Sequence, residues 1–249
     1  MAEILGKPLL EVKNIKKSFG HINALRGVSL QAYAGHVLAI VGDNGAGKST
    51  LIKALSGALA PDDGEIIIDG KSYNKLTPKL ALANGISTVF QDLALVNTQD
   101  IIENIFLGHE HRKFGFLQKK QMRKEAIELL IRLGIQIPGY DVLVKDLSGG
   151  QRQSIAVARA VHQGGKLLIF DEPTAAMGLK ETAAVESLIK KLAESGFGII
   201  IISHNLPQVF KLSDRICVMR QGSVVDIVDT TSVTTEDIVS MITGAKAVC

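Results

Sequence analysis

At 249 residues the chain can bury a large core, as one domain or two small ones. Its 28 basic and 25 acidic side chains leave a formal charge of +3, too balanced to argue for a nucleic-acid protein. Hydrophobic residues make up 46%, yet the longest aliphatic run, Gly198 to Ile202, falls far short of the ~20 residues a spanning helix needs, so no part of the chain is expected to cross a membrane.

Met1 to Leu10 carries Glu3 and Pro8 and lacks the pattern of a secretory leader. Leu10, Val12, Ile15, Val28 and Leu30 alternate as in antiparallel strands turning at Gly20-His21. Phe19, just before that turn, reads either as a core aromatic or as a ring that stacks on a nucleobase. Val37 to Val41 has the composition of a buried strand. The segment Gly42-Asp43-Asn44-Gly45-Ala46-Gly47-Lys48-Ser49-Thr50 follows and fits G-x-x-x-x-G-K-[ST]. Leu51, Ile52, Ala54 and Leu55 then have helical spacing. Strand, glycine loop and helix together predict a nucleoside triphosphate site. The glycines let successive N–H groups point inward, the helix start adds its dipole, Lys48 supplies a mobile charge, and the Ser49 hydroxyl suits Mg²⁺.

Pro61 to Gly64 reads as a turn and Glu65 to Gly70 as a short strand. Gly85 to Phe90 is another apolar strand, ending at Gln91, which is either a surface amide or one that reaches a metal ion or water. From Asp92 to Lys145 no strand is expected. Met122, Ala126, Leu129, Leu130 and Leu133 line one helix face there, so the region reads as a helical insertion. His109-Glu110-His111 lacks a third ligand and reads as a solvated loop. Ser148 and Gln151 have capping-box spacing, which starts a helix. Gly149 and Gly150 beside them leave N–H groups for a second anion, or the segment is a capped helix only.

Lys166 to Asp171 is a strand ending in Asp171-Glu172. A strand-end aspartate beside a phosphate loop is a magnesium anchor, and Glu172 could polarise a water. Val185, Leu188, Ile189 and Leu192 mark an amphipathic helix, and Gly198 to Ile202 a buried strand leading to Ser203-His204. His204 is expected to face the crevice of Asp171 and Gln91. Two strands around Gln221-Gly222 and a helix from Thr235 to Ile242 complete the chain. Cys217 and Cys249 have no ligand spacing, which suits a reducing compartment.

These pieces, in this order, resemble the ATP-binding-cassette (ABC) ATPases over nearly the whole chain. The resemblance rests on GDNGAGKST, the VFQ around Gln91, LSGGQ at Leu147 to Gln151, LIFDEPT at Leu168 to Thr174, and His204. LSGGQRQSIAVARA, DEPTAAMGLKE and ISHN further resemble the ATPase subunits of simple-sugar importers of the ribose, xylose and fructose type.

The resemblance implies an α/β phosphate-loop core of the RecA type with an antiparallel β subdomain and an α-helical subdomain. Residues 1–91 and 151–249 would form the core and 92–150 the helical part. It also implies two copies enclosing two ATP molecules. Phe19 would stack on adenine, Gly42, Asn44 to Thr50 would hold phosphate, and Ser49, Gln91 and Asp171 would surround Mg²⁺. Glu172 would be the base, with His204 on the γ-phosphate. Ser148, Gly149, Gly150 and Gln151 would reach that phosphate from the opposite copy.

Separate permease subunits and, indirectly, a sugar-binding protein are the implied partners, at the cytoplasmic face of the plasma membrane. A soluble cassette acting on nucleic acid or ribosomes is the alternative. Gly178 departs from the family pattern, which has an aspartate there that contacts the other copy.

Overall fold

The computed structural model describes residues 6–245; the beginning of the Met1 to Leu10 segment and Cys249 lie outside them. The described chain runs β1 (Leu10–Phe19), β2 (Ile22–Ala32), β3 (Val37–Val41), α1 (Lys48–Leu55), β4 (Asp63–Ile68), β5 (Lys71–Tyr73), α2 (Pro78–Ala83) and β6 (Ile86–Val89). It continues through α3 (Ile101–Ile105), β7 (Arg112–Lys113), β8 (Phe116–Leu117), α4 (Lys119–Leu133), α5 (Gly149–His162) and β9 (Leu167–Asp171). Last come α6 (Leu179–Glu194), β10 (Gly198–Ile202), α7 (Leu206–Leu212), β11 (Arg215–Arg220), β12 (Ser223–Asp229) and α8 (Thr235–Thr243).

The central sheet has the order β12-β11-β3-β10-β9-β6, with every pair parallel except β11–β12. Parallel strands need crossovers, and those crossovers cover both faces, so β3, β9 and β10 must be apolar on both sides. Their residues divide by the strand period. Val37, Ala39 and Val41 join a core with α3 to α7, while Leu38 and Ile40 join a core with α1 and the second sheet. Ile199 and Ile201 face the first core; Ile200 and Ile202 face the second. Each large aliphatic side chain so buried contributes roughly 1.5–3 kcal/mol.

The second sheet, β2-β1-β4-β5, is antiparallel throughout and lies over α1. Helix α4 buries the predicted stripe of Met122, Ala126, Leu129, Leu130 and Leu133 against α3 and α5, and ends at Gly134 in a left-handed conformation.

One expectation for the region after Asp92 is corrected. The two-residue strands β7 and β8 pair there as a small antiparallel ribbon. Two residues are too few to display a period, so the pair leaves no strand signal in the sequence.

Candidate active site

In an open parallel sheet, the carboxyl ends of the strands form the crevice where ligands bind. Here β3, β10, β9 and β6 lie side by side, and the segments that follow them carry Lys48, His204, Asp171-Glu172 and Gln91. All of these line one cavity of about 1080 Å³, together with Phe19, Gly42, Asn44, Gly45, Ala46, Gly47, Ser49 and Thr50. The cavity also takes in Arg26 and Gln221, which the sequence reading did not single out.

The loop's shape follows from its glycines. Gly47, at φ +100°, precedes α1, where no side chain caps the helix and no acidic residue occupies the first turn. The N–H groups at that end are therefore left for an anion. A Cβ on Gly47 would lie 2.6 Å from the Ala24 carbonyl oxygen, so the loop fits against β2 only without one. Gly42 is held as closely, because a Cβ there would come within 2.2 Å of the Met219 carbonyl oxygen. The β11–β12 turn braces the loop from outside: Gly222 N–H donates to Ala46 O at 3.1 Å. This explains how Gln221 comes to the cavity.

Lys48 Nζ donates to Gly42 O at 2.6 Å and Asp43 O at 2.9 Å, which holds the ammonium over the loop. Partial burial lowers its pKa, opposed by the charges of Glu172, Asp43 and Asp171. Asp171 moves the other way. Burial pushes its carboxyl up, the Glu172 charge adds to that, and Lys48 and Lys53 pull it back.

Glu172 has φ +51°, a left-handed conformation rare for a residue with a long side chain. Its N–H nevertheless donates to Ile202 O of β10 at 2.9 Å. The twist turns its carboxylate away from the line of β9 toward His204, whose Nδ1 lies 2.8 Å from Oε1. The glutamate side chain is 18% exposed and the histidine 78%. Backbone held in this region costs about 1–3 kcal/mol and is retained mainly where function needs it. Phe19 is half exposed and lines the cavity, so it is not a core aromatic.

The donor set fits a hard divalent cation. A hydroxyl, an amide and a carboxylate line one cavity, and the two adjacent carboxylates at the end of β9 leave a local negative charge that a cation would relieve. Among the described residues there is no group of three His, Cys, Asp or Glu side chains of the kind a zinc site requires. His111 instead contacts Glu125 Oε2 at 2.7 Å, and Cys217 is buried with its thiol pushed up to about 12.

Ser148, Gly149, Gly150 and Gln151 lie outside the nucleotide cavity. Ser148 and Gln151 form the predicted capping box, with Ser148 N–H donating to Gln151 Oε1 at 3.0 Å. Gly149 lines a neighbouring hollow that also reaches Gln91 and Glu172. The structure supplies a packing reason for the second glycine. A Cβ on Gly150 would lie 3.2–3.4 Å from Glu181, so the bare backbone lets α5 approach the start of α6. Glu181 was not anticipated. Its carboxylate accepts from Gly178 N–H at 3.3 Å, and this bond, together with contacts from Ser148, Gly150 and Gly149, holds its pKa down.

A phosphate loop at the end of β3, with a carboxylate pair and a histidine from the next two strands, defines a P-loop nucleoside-triphosphatase. The class narrows on comparison with known proteins. Residues 25–175 match the family described as ABC transporter, and the chain belongs to that family.

It is 46% identical over 217 residues to the xylose/arabinose import ATP-binding protein of Sulfolobus acidocaldarius, covering 87% of this chain and 86% of that one. It is 43% identical to the fructose import ATP-binding protein of Rhizobium meliloti, over 96% of this chain and 95% of that one. A ribose import ATP-binding protein of Escherichia coli O157:H7 is 42% identical over 95% of this chain, which spans 47% of that relative.

Among solved structures, a nucleotide-free ATP-binding cassette from an ABC transporter superposes with a TM-score of 0.82 at 27% identity, over 95% of this chain and 96% of the other. The dimeric cassette MJ0796 superposes at 0.74 with 28% identity, over 89% and 98%.

Proposed function

We propose that this chain is the ATP-hydrolysing subunit of an importer for a simple sugar. The observation that carries the reading is the convergence of Lys48, Ser49, Gln91, Asp171, Glu172 and His204 on one cavity at the sheet's carboxyl edge. Phe19, at the rim, stacks on the base; the loop from Gly42 to Thr50 and Lys48 hold the phosphates. Ser49, Gln91 and Asp171 would hold Mg²⁺, which when bound neutralises charge on the β- and γ-phosphates. Glu172 takes the proton of the attacking water through Oε2, while Oε1 stays bonded to His204 Nδ1 and is held by it.

Ser148 and the two glycines lie outside this cavity, so they serve the site of a second copy, and the working unit is a homodimer. Dimeric cassettes among the structural relatives support this. Among the described residues no helix is long and apolar enough to cross a membrane, so the pathway for the sugar belongs to separate permease subunits. The groove between Phe90 to Ala94 and Arg159 of α5 is where those partners dock, at the cytoplasmic face of the membrane. A sugar-binding protein engages the permease rather than this chain.

The experiment mixes two inactive variants. Lys48→Ala and Ser148→Arg each spoil both sites of a homodimer. A mixed dimer keeps one intact site, so mixing restores ATP turnover. No recovery on mixing, with dimers present, would refute a site shared between copies. Copurification with a multi-span permease tests the transport role.

A further inference from the structure

The β7–β8 ribbon takes no part in the nucleotide site, yet its composition and geometry are unusual. Between residues 112 and 124 the chain places Arg112, Lys113, Lys119, Lys120, Arg123 and Lys124, with no acidic residue. That local excess contrasts with a chain that is close to neutral as a whole. Four of the six find acidic neighbours: Arg112 with Glu110, Lys119 with Glu103, Arg123 with Asp141 and Lys124 with Glu128. Among the described residues Lys113 and Lys120 form no ion pair, and Lys113 Nζ lies 5.9 Å from the centre of the Phe114 ring.

The turn at the tip is harder to explain as mere connection. Lys113 pairs with Phe116, so Phe114 and Gly115 are its two central residues, with φ of +52° and +84°. A two-residue hairpin turn with positive φ at both positions favours Asn-Gly or Asp-Gly. Here the first position is a phenylalanine, a bulky residue that pays strain in that region. Phe114 is nonetheless 91% exposed and Phe116 80% exposed. Neither ring adds to the core, and the turn would be more stable with a smaller polar residue.

The ribbon is fixed to the protein at its base. Gln118 N–H donates to His111 O at 2.8 Å, and Leu117 lines a hollow with Leu107, Ile102 and Met122. Leu107 also lines the groove assigned above to the permease. The base of the ribbon is therefore joined to that groove through Leu107, and the tip projects from the same side of the helical region.

We propose that this tip, Phe114 and Phe116 flanked by Lys113 and Lys120, seats in the headgroup layer of a membrane carrying anionic lipid. Exposed aromatic rings gain by entering the boundary between headgroup and acyl chain, and nearby lysines are drawn to the negative surface. The occupant follows from charge complementarity and from continuity with the permease groove, so the inference rests on the import reading. Its test contains no permease and no nucleotide, so the two readings can fail separately.

The chain has no tryptophan, so Phe116→Trp installs a single reporter on an exposed site. Vesicles of phosphatidylcholine with a minority of phosphatidylglycerol are expected to shift its emission to the blue, and raised salt to reverse the shift. Adding Lys113→Glu and Lys120→Glu to the reporter variant is expected to weaken partitioning by roughly 25-fold or more, at about fivefold per lysine removed. Phe114→Ser with Phe116→Ser, followed by cosedimentation with the same vesicles, is expected to lower binding while melting temperature and ATP turnover stay unchanged. Four results would overturn the proposal: no shift on the anionic vesicles, an equal shift on pure phosphatidylcholine, an equal shift on a single-stranded oligonucleotide, or undiminished binding by the lysine reversals.

Discussion

Glu172→Gln separates chemistry from binding more cleanly than any other substitution at this site. The amide has nearly the same shape, and its oxygen can still accept from His204 Nδ1 where Oε1 now sits at 2.8 Å. The backbone bond from Glu172 N–H to Ile202 O does not involve the side chain, so the local fold is retained. What disappears is the ability to take a proton from water. A positioned general base contributes about 10²- to 10⁴-fold, which at 1.36 kcal/mol per decade is about 3–5 kcal/mol of barrier. The charge next to Asp171 disappears as well. Glu172 is the second cause, after burial, that holds the Asp171 carboxyl above its ordinary range. Removing it makes ionised Asp171 easier to keep beside Lys48, so nucleotide affinity is expected to stay equal or to rise. Phosphate release at saturating ATP, paired with equilibrium binding of ATP to the variant, measures both arms. Turnover within tenfold of the parent would take the base role from Glu172. A parallel loss of turnover and affinity would show that the side chain binds substrate rather than activating water.

Other perturbations address the remaining parts of the cavity. Phe19→Ala is expected to weaken ATP binding about 2- to 10-fold, the worth of one aromatic stacking contact, and to leave binding of inorganic tripolyphosphate unchanged; calorimetric titration with both ligands checks it. Asp171→Asn tests the carboxyl's raised pKa. A carboxyl whose pKa is raised by folding binds its proton more tightly in the native state, so its stabilising contribution is present at acid pH and lost as pH rises through the native pKa. Without nucleotide, the variant should therefore melt above the parent at neutral pH, and the gap should close as pH falls below the ordinary aspartate range; a gap independent of pH would refute the assignment. Gln208→Leu addresses the network behind the site. Buried Gln208 accepts from Ser203 Oγ at 3.1 Å and donates to Thr174 Oγ1 at 2.8 Å, which ties the segment before His204 to the segment after Glu172. Its loss is expected to cost about 1–3 kcal/mol of stability and to lower kcat more than it changes KM. Thr174→Val in the same background should add little to the loss of turnover, and additive losses would argue against the tie.

The parts that could be read from sequence were those whose reason is local. Strands β3, β9 and β10 are buried on both faces, so each appears as an unbroken apolar run, and the capping box of Ser148 and Gln151 needs four consecutive residues only. The carboxylate pair was legible because charge at the end of such a run has no structural use. The short helices α2 and α7 were missed, although Thr77 and Asn205 cap them and a proline follows within the first turn of each. With six and seven residues, neither shows a full amphipathic period. The contact of Glu172 with His204 was beyond reach, because it depends on β10 lying beside β9 with Ile202 opposite Asp171. The packing role of Gly150 was not legible beside the anion-site and capped-helix readings, because its neighbour Glu181 lies thirty-one residues away and comes close only when α6 packs against α5.

The same packing bears on how a partner in the groove could be felt at the nucleotide. Gln91 belongs to a loop that leaves the end of β6 and passes along α5. Arg159 of α5 holds that loop by two bonds, from Nη2 to Leu93 O at 2.6 Å and from Nη1 to Ala94 O at 2.9 Å. Ala94 is itself in the left-handed region, at φ +48°, with its N–H on Asp92 Oδ1 at 3.1 Å. Burial lowers the pKa of the Arg159 guanidinium, and charge-assisted bonds to carbonyls in such surroundings are stronger than those on an open surface. The loop is therefore tied to α5, the helix whose first turn carries Gly149, Gly150 and Gln151, unless both bonds are given up. On the proposed reading, a permease segment wedged between Phe90 and Arg159 would displace Gln91 and the Ser148 end of α5 together, so the residue proposed to hold the metal and the surface proposed for the second copy would respond to one push.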